Sequence, residues 1–304
     1  MELRDADLAV RTRGLTKNFG KRTVVDGLDL AIPRGGVYGF LGPNGSGKST
    51  TMKMLLGLLH PSAGQISLLG ETPWGEARAR LMPRIGSMIE HPPGYGHLTG
   101  AENMRLLARL LNLETTRIDR ALELVRLTDH RDRLQRTYSL GMKQRLGIAM
   151  ALAREPELLI LDEPTNGLDP AGIEEIRELM IHLASGGVTV MISSHLLAEI
   201  DRMADVLGVL SQGRLVFQGS REELFERSIP DLLVVTPQAD AAANLVRGCR
   251  RERNGIRVQG CGQEDAARLI VRLVQAGIPI HEVRRIQQSL EEVFMDLTGG
   301  AEAL

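Results

Sequence analysis

The sequence predicts an α/β fold: a parallel sheet with helices packed on it, followed by a smaller α+β region. Three observations lead there. The apolar run Gly36 to Gly42 (GVYGFLG) feeds a glycine-rich turn and then a helical pattern. The apolar run ELLILDE ends on Asp162 and Glu163, and a helix signal follows at Asp169-Pro170. The run VTVMISS ends at His195. Continuous apolar runs separated by helices are how strands buried on both faces of a parallel sheet read.

The elements follow in order. Leu8 to Leu15 (LAVRTRGL) and Thr23 to Ile32 (TVVDGLDLAI) alternate as half-buried strands do. The stretch STTMKMLLGLL after the glycine turn reads as a helix. The run IGSMIEHPP is strand-like, ends on Glu90, and is stopped by Pro92 and Pro93. Thr99 and Glu102 fit a capping box. Met104, Leu107, Ala108 and Leu111 then follow at helical spacing, and Ile118, Ala121, Leu122 and Val125 repeat it in a second helix. A further helix spans roughly Leu140 to Arg154. The pattern restarts around Gly219-Ser220-Arg221. Beyond it DLLVVTP, GIRVQG and IPIHEVRRI read as strands, and residues 240–247, 264–276 and 288–297 as helices. The expected organisation is a main domain over 1–220, with a helical insert at about 88–155, and an accessory α+β domain over 221–304.

Composition sets outer limits. The chain has 304 residues, 43% of them hydrophobic, which supports a sizeable core. The formal charge of −1 argues against nucleic acid as the main partner. The start MELRDADLAV lacks the apolar centre of a signal peptide, and no apolar run has the length of a transmembrane helix. The expectation is a soluble, cytoplasmic chain that borrows a partner's spans if it works at a membrane. Cys249 and Cys261 match no metal or redox spacing and point to a reducing compartment; a disulfide between them stays open.

The chemistry starts at Gly42-Pro43-Asn44-Gly45-Ser46-Gly47-Lys48-Ser49, followed by Thr50, which fits GxxxxGKS between a strand and a helix. Glycines let successive N–H groups curl inward on phosphate oxygens, and the helix presents its positive end to the same anion. Lys48 reaches the β and γ phosphates of a nucleotide and Ser49 ligates Mg2+. Asp162, at the tip of a buried strand, suits the same metal. Glu163 follows it and, on a strand, points the other way, which frees it to orient or deprotonate a water. Together these residues imply an Mg-nucleotide hydrolase. Ser139 suits the cap of the helix that begins in YSLGMKQR, whose first amides form a second anion site.

With these motifs in this order, the chain resembles the ATP-binding subunits of ABC transporters. The resemblance implies a P-loop NTPase cassette: a parallel-sheet core, an antiparallel β subdomain and a helical subdomain, here with a small C-terminal α+β appendix. In that family a signature, usually LSGGQ, precedes the second acidic motif and binds the γ-phosphate held by the opposite subunit. Here it reads YSLGM: Ser139 and Gly141 match, Leu140 and Met142 depart. Asn166-Gly167-Leu168-Asp169 looks like the D-loop, His195 like the switch histidine, and Phe19 stands where the family stacks an aromatic on adenine. Glu90 stands where the family has a glutamine that touches Mg2+ and the attacking water. Glutamate can hold the metal but cannot donate an amide hydrogen bond. Glu90, YSLGMKQRL, DEPTNGLDP, LTGAEN and the ending SLEEVFMDLTGG (Ser289 to Gly300) are similar to the branch of bacitracin-resistance and lantibiotic-immunity exporters.

The resemblance implies ATP and Mg2+ as ligands, a head-to-tail dimer of ATP-binding subunits, most simply two copies of this chain, and a separate integral-membrane permease. The chain would then sit on the cytoplasmic face of the membrane, and the helical insert around residues 88–130 would receive a short permease helix, with the stretch from Glu90 to Leu98 coupling it to the ATP site. Two other readings stay open at this stage. One is a soluble ABC-type ATPase in a non-transport assembly, although a single cassette without coiled coil or zinc site fits the ribosomal and DNA-repair versions poorly. The other is a small-molecule kinase, which would have no second anion site and no use for His195.

Overall fold

The computed structural model describes residues 4–298; Met1 to Leu3 and residues 299–304, including the two glycines that close SLEEVFMDLTGG, lie outside the described residues. The chain divides into two compact units, residues 4–220 and 221–298. The first unit opens with β1 (Leu8–Phe19), β2 (Arg22–Leu28), β3 (Ala31–Pro33) and β4 (Val37–Leu41). Next come α1 (Lys48–Leu55), β5 (Ala63–Leu68), α2 (Ala77–Leu81) and β6 (Ile85–Met88). A helical stretch follows: α3 (Gly100–Leu111), α4 (Thr115–Leu124) and α5 (Leu140–Leu152). The unit ends with β7 (Leu158–Asp162), α6 (Pro170–Ser185), β8 (Thr189–Ser194), α7 (Leu197–Ile200), β9 (Val206–Ser211) and β10 (Arg214–Gly219).

Two sheets form from these strands. β1 pairs antiparallel with β2, β3 and β5. The larger sheet has the order β10-β9-β4-β8-β7-β6, parallel throughout except for β10. Every residue of β4, β7 and β8 is buried, the cause of the unbroken apolar runs in the sequence. One core joins both sheets: Leu15, Val25 and Leu68 of the antiparallel sheet pack with Phe40, Ile160 and Met191 of the parallel one, and with Met52 and Leu55 of α1. The parallel core, antiparallel sheet and helical insert are the parts the resemblance implies.

The sequence reading passes over β5 (AGQISL), β9 (VLGVLS) and β10 (RLVFQG), whose apolar residues are broken by glycine or polar residues and which lack the unbroken apolar run of β7. It merges β2 and β3, which separate at Asp29-Leu30. It places the Asp169-Pro170 helix start correctly: the Asp169 carboxylate accepts from the Gly172 amide at 2.9 Å. The Thr99 capping box forms in both directions, Glu102 N to Thr99 Oγ1 at 3.1 Å and Thr99 N to Glu102 Oε2 at 2.7 Å.

The second unit contains α8 (Arg221–Arg227), β11 (Asp231–Val235), α9 (Ala239–Leu245), β12 (Cys249–Glu252), β13 (Gly255–Val258), α10 (Gln263–Gln275), β14 (Glu282–Ile286) and α11 (Leu290–Thr298). From β11 to β14 the order is βαββαβ in an antiparallel sheet β12-β13-β11-β14, the ferredoxin-like arrangement. Leu232, Val234 and Ile256 pack under Leu269 and Leu273 of α10. The fully buried Asp231 carboxylate is compensated by Arg257 Nε at 2.6 Å, the Gly260 amide at 3.0 Å and Gln288 Nε2 at 3.1 Å. Cys249 and Cys261 are both free thiols, so the open disulfide question is answered in favour of reduced cysteines.

Loss of the cap tests the local physics of the insert. Thr99→Ala removes one of two reciprocal bonds at the start of α3 and should destabilise that helix by about 1 kcal/mol. Native-state hydrogen exchange reads it: the α3 amides should exchange faster while the β4 and β7 amides stay protected.

Candidate functional site

The glycine loop runs from the end of β4 to the start of α1. Its close packing explains its glycines. A side-chain carbon at Gly42 would lie 2.4 Å from the Leu210 carbonyl oxygen. Gly47 has φ of +107°, and a carbon there would lie 2.8 Å from the Val24 carbonyl oxygen. The loop is tied to the turn between β9 and β10 by the bond from Gly213 N to Ser46 O, 3.0 Å. A cleft of about 300 Å³ opens beside it, lined by Pro43, Asn44, Gly45 and Ser46 together with Thr23 and Gln212.

Lys48 is buried, 5% exposed, as the first residue of α1. Its Nζ donates to Gly42 O at 2.6 Å and lies 3.6 Å from Glu163 Oε1. Ser49 and Thr50, half-buried, form the next positions of the same first turn, whose amides have no partner inside the helix. The Ser46 hydroxyl is buried and makes no hydrogen bond. A buried ammonium, an orphaned hydroxyl and free helix-start amides together are a donor-rich anion site.

The carboxylates sit at the adjoining strand ends. Asp162 closes β7 and is paired in register with Ser193 of β8, whose hydroxyl donates to Asp162 Oδ1 at 2.6 Å. The same hydroxyl accepts from Glu163 N at 2.9 Å. Glu163 is not the next strand residue expected from simple alternation. The strand has ended, its φ is +49°, and its carboxylate reaches both Lys48 and His195. His195 Nδ1 lies 2.6 Å from Glu163 Oε2. The loop after Glu163 is braced by Thr165, whose hydroxyl donates to Glu199.

The structure therefore brings Lys48, Asp162, Glu163 and His195 into one chain of contacts, while the other predicted residues make contacts of their own. Glu90 follows β6 with φ of +68°, is exposed, and is bonded to Lys53 of α1. The Lys53 ammonium, first by hydrogen bond and then by charge, holds the Glu90 carboxyl below its usual range. Phe19 is exposed at the β1–β2 turn, opposite Arg22, with Lys17 Nζ 5.1 Å from its ring centre. Ser139 caps α5, accepting from Met142 N at 3.2 Å. The space beside Gly141 holds Leu168, and the departing residue Leu140 packs its Cδ2 on Gly167, 2.7 Å from where a side-chain carbon would stand. So the YSLGM segment rests on the Asn166–Asp169 turn of its own chain.

Sequence reasoning missed Ser193, Lys53 and Glu199. Ser193 precedes His195 by one strand period, but its pairing with Asp162 depends on a register between distant segments. Lys53 lies one helical turn past Ser49, a spacing the sequence does offer. No cluster of three or more histidine, cysteine, aspartate or glutamate side chains suited to a metal occurs among the described residues. Ser49 and Asp162 nonetheless offer hard oxygen donors of the kind Mg2+ takes.

Burial pushes the Lys48 ammonium below the ordinary lysine range, while Glu163 and then Asp162 pull it back up. The unfolded chain binds this proton more tightly than the folded one. Stability from this group therefore rises as pH climbs through the interval between the lowered folded value and the unfolded one. Glu163→Gln removes the largest upward influence and should lower the Lys48 pKa further. Carbon NMR of reductively methylated protein across alkaline pH measures it; an unchanged Lys48 titration would show that the Glu163 carboxylate does not act on it.

Comparison with known proteins adds relatives to this geometry. The ABC transporter family pattern matches residues 25–166. The bacitracin transport ATP-binding protein BcrA of Enterococcus faecalis is 39% identical over 302 residues, covering 97% of this chain and 97% of that protein. The lantibiotic transport ATP-binding protein SrtF of Streptococcus pyogenes is 43% identical over 226 residues, covering 72% of this chain and 97% of that one. Among solved structures, cbiO1 from Clostridium perfringens, described as part of the ABC transporter complex cbiONQ, superposes with a TM-score of 0.67 at 30% identity, covering 73% of this chain and 92% of that chain.

Proposed function

The chain belongs to the ATP-binding subunits of ABC transporters, ATPases that power transport, and on that premise we propose that it drives export of a peptide antibiotic or similar drug through a separate permease. The observation that carries the mechanism is the chain of contacts from Lys48 through Glu163 to His195 at the mouth of the glycine loop. The cargo reading is supported by the match to the bacitracin protein. That match covers nearly the whole chain, and so takes in the C-terminal unit as well as the cassette.

ATP lies with its phosphates on Gly42 to Thr50 and its adenine against Phe19. Lys48 and the first amides of α1 hold the β and γ phosphates. Ser49, Asp162 and Glu90 provide oxygen donors for Mg2+, which when bound offsets negative charge on those phosphates. Glu163 accepts the proton of the attacking water as its oxygen bonds to the γ-phosphorus. The bond to the β,γ-bridging oxygen breaks, and ADP and phosphate leave. His195 holds Glu163 in place and contacts the γ-phosphate. Ser193 keeps the Asp162 carboxylate and the Glu163 amide in fixed relation. Ser139 and Gly141, at the start of α5, and Asp169 serve the ATP of a second copy in a head-to-tail dimer, with Leu140 and Gly141 packed on the chain's own Asn166–Asp169 turn. The γ-phosphate is then the ligand that favours the closed pair, and its loss reopens it.

The cassette is residues 1–220 and the accessory domain 221–304. The chain is held peripherally on the cytoplasmic face by the permease, which docks near Glu90 to Leu98. Exposed Tyr95, 57% accessible, stands in that segment as an apolar contact for a permease helix.

Glu163→Gln should lower hydrolysis by at least about a hundredfold while ATP binding persists, and ATP should shift the variant to dimers in size-exclusion chromatography with light scattering. Near-normal turnover would remove Glu163 from the base role. Affinity purification of the tagged chain from detergent-solubilised membranes of its own cells should bring down a polytopic membrane protein in stoichiometric amount. Recovery of only soluble assemblies would favour the non-transport ATPase reading instead.

A further inference from the structure

The three acids placed at the ATP site are each held by a partner within the chain. Asp162 accepts from the Ser193 hydroxyl at 2.6 Å. Glu163 lies 3.6 Å from the Lys48 ammonium and 2.6 Å from His195 Nδ1. Glu90 completes the set, with its carboxylate bonded to the ammonium of Lys53. Lys48 and Lys53 belong to one helix, α1, and Ser49 lies one turn before Lys53 on the same face. Among the described residues neither Lys53 nor Glu90 forms a further ion pair.

The backbone at Glu90 is not relaxed. β6 ends at Met88, and Glu90 takes φ of +68°, in the left-handed region that favours glycine. His91 N donates to Ile89 O at 2.9 Å and closes a three-residue γ-turn centred on Glu90. A γ-turn with positive φ at its centre is the rare, strained form, and such strain persists only where the surroundings hold it. The side-chain contact that reaches Glu90 comes from Lys53, 37 positions upstream.

The charges of this pair also matter to a nucleotide. An uncompensated carboxylate near a triphosphate repels it, and Lys53 cancels that charge in the nucleotide-free chain. The pair is not locked. Its side chains are 34% and 55% exposed, and ion pairs in such surroundings are weak enough to open.

We infer that Lys53 is the positioning residue for Glu90: it holds the carboxylate while the site has no metal, and Glu90 gives up this ion pair to serve Mg2+. The inference rests on the reading above that Glu90 is an oxygen donor to the metal bound with ATP. Lys53 and the metal are then two cations with a claim on one carboxylate, so Lys53 lowers the gain in ATP affinity that Mg2+ provides.

Calorimetric titration of the full chain with the β,γ-imido analogue of ATP, which is not hydrolysed, tests this without reading activity. Each titration is run in EDTA and again in saturating Mg2+, and the quantity read is the ratio of the two affinities. Lys53→Met frees Glu90 and should raise that ratio by about threefold, the size an exposed ion pair supports. Glu90→Gln removes the carboxylate for which the cations compete. It should lower the ratio by itself, and in its background Lys53→Met should have no effect on the ratio. A role confined to packing would move both affinities of a variant together and leave the ratio alone. An unchanged ratio in Lys53→Met overturns the inference. So does an equal rise with Glu90→Gln present, because Lys53 would then act on the metal directly and not through Glu90. If Glu90→Gln by itself keeps the wild-type ratio, Glu90 is no donor to the metal, and that reading fails together with the inference.

Discussion

A buried ammonium group is the constraint on which the rest of this protein depends. Lys48 is nearly inaccessible, so its charge must be compensated from within. The Gly42 carbonyl does part of this at 2.6 Å, and the Glu163 carboxylate, 3.6 Å away, does more. Holding Lys48 there requires the backbone of the glycine loop to press against Val24 and Leu210, which only glycine at positions 47 and 42 allows. It also requires Glu163 to leave the strand with a left-handed turn. The two sheets, the loop and the acidic strand end are coupled through one cation.

The same cluster explains why Glu163 and Asp162 have different surroundings despite being neighbours. Asp162 ends a fully buried strand and takes its proton donor from Ser193 across the sheet. Glu163 lies beyond the strand, touches Lys48 and His195, and is partly open to water. A carboxylate committed to a hydroxyl suits a fixed role beside a metal. One shared between a lysine and a histidine suits proton transfer. Leu140 supplies the complementary detail on the other side. In place of the usual glycine of the signature it packs on Gly167, fastening the YSLGM segment to the turn that follows the acidic pair.

The C-terminal unit follows a different logic. Its buried Asp231 is compensated by an arginine, a backbone amide and a glutamine, so its polar interior is closed on itself.

Much of this was determined by the sequence alone. The GxxxxGKS loop, the acid-ended strand, the helix caps at Thr99, Ser139 and Asp169, and the order of motifs are local patterns. They act through neighbours within one turn of chain, so they can be read along it. The tertiary structure decided what crosses between segments. It set Ser193 opposite Asp162, turned Glu163 toward Lys48 and His195, placed Glu90 on Lys53, seated Leu140 on Gly167, and left β14 as an edge. Those outcomes depend on strand register and loop conformation, and a register joins residues whose separation along the chain carries no signal of their contact. β5, β9 and β10 escaped because glycines and polar residues break their apolar pattern, and their place in a sheet is set by the strands beside them.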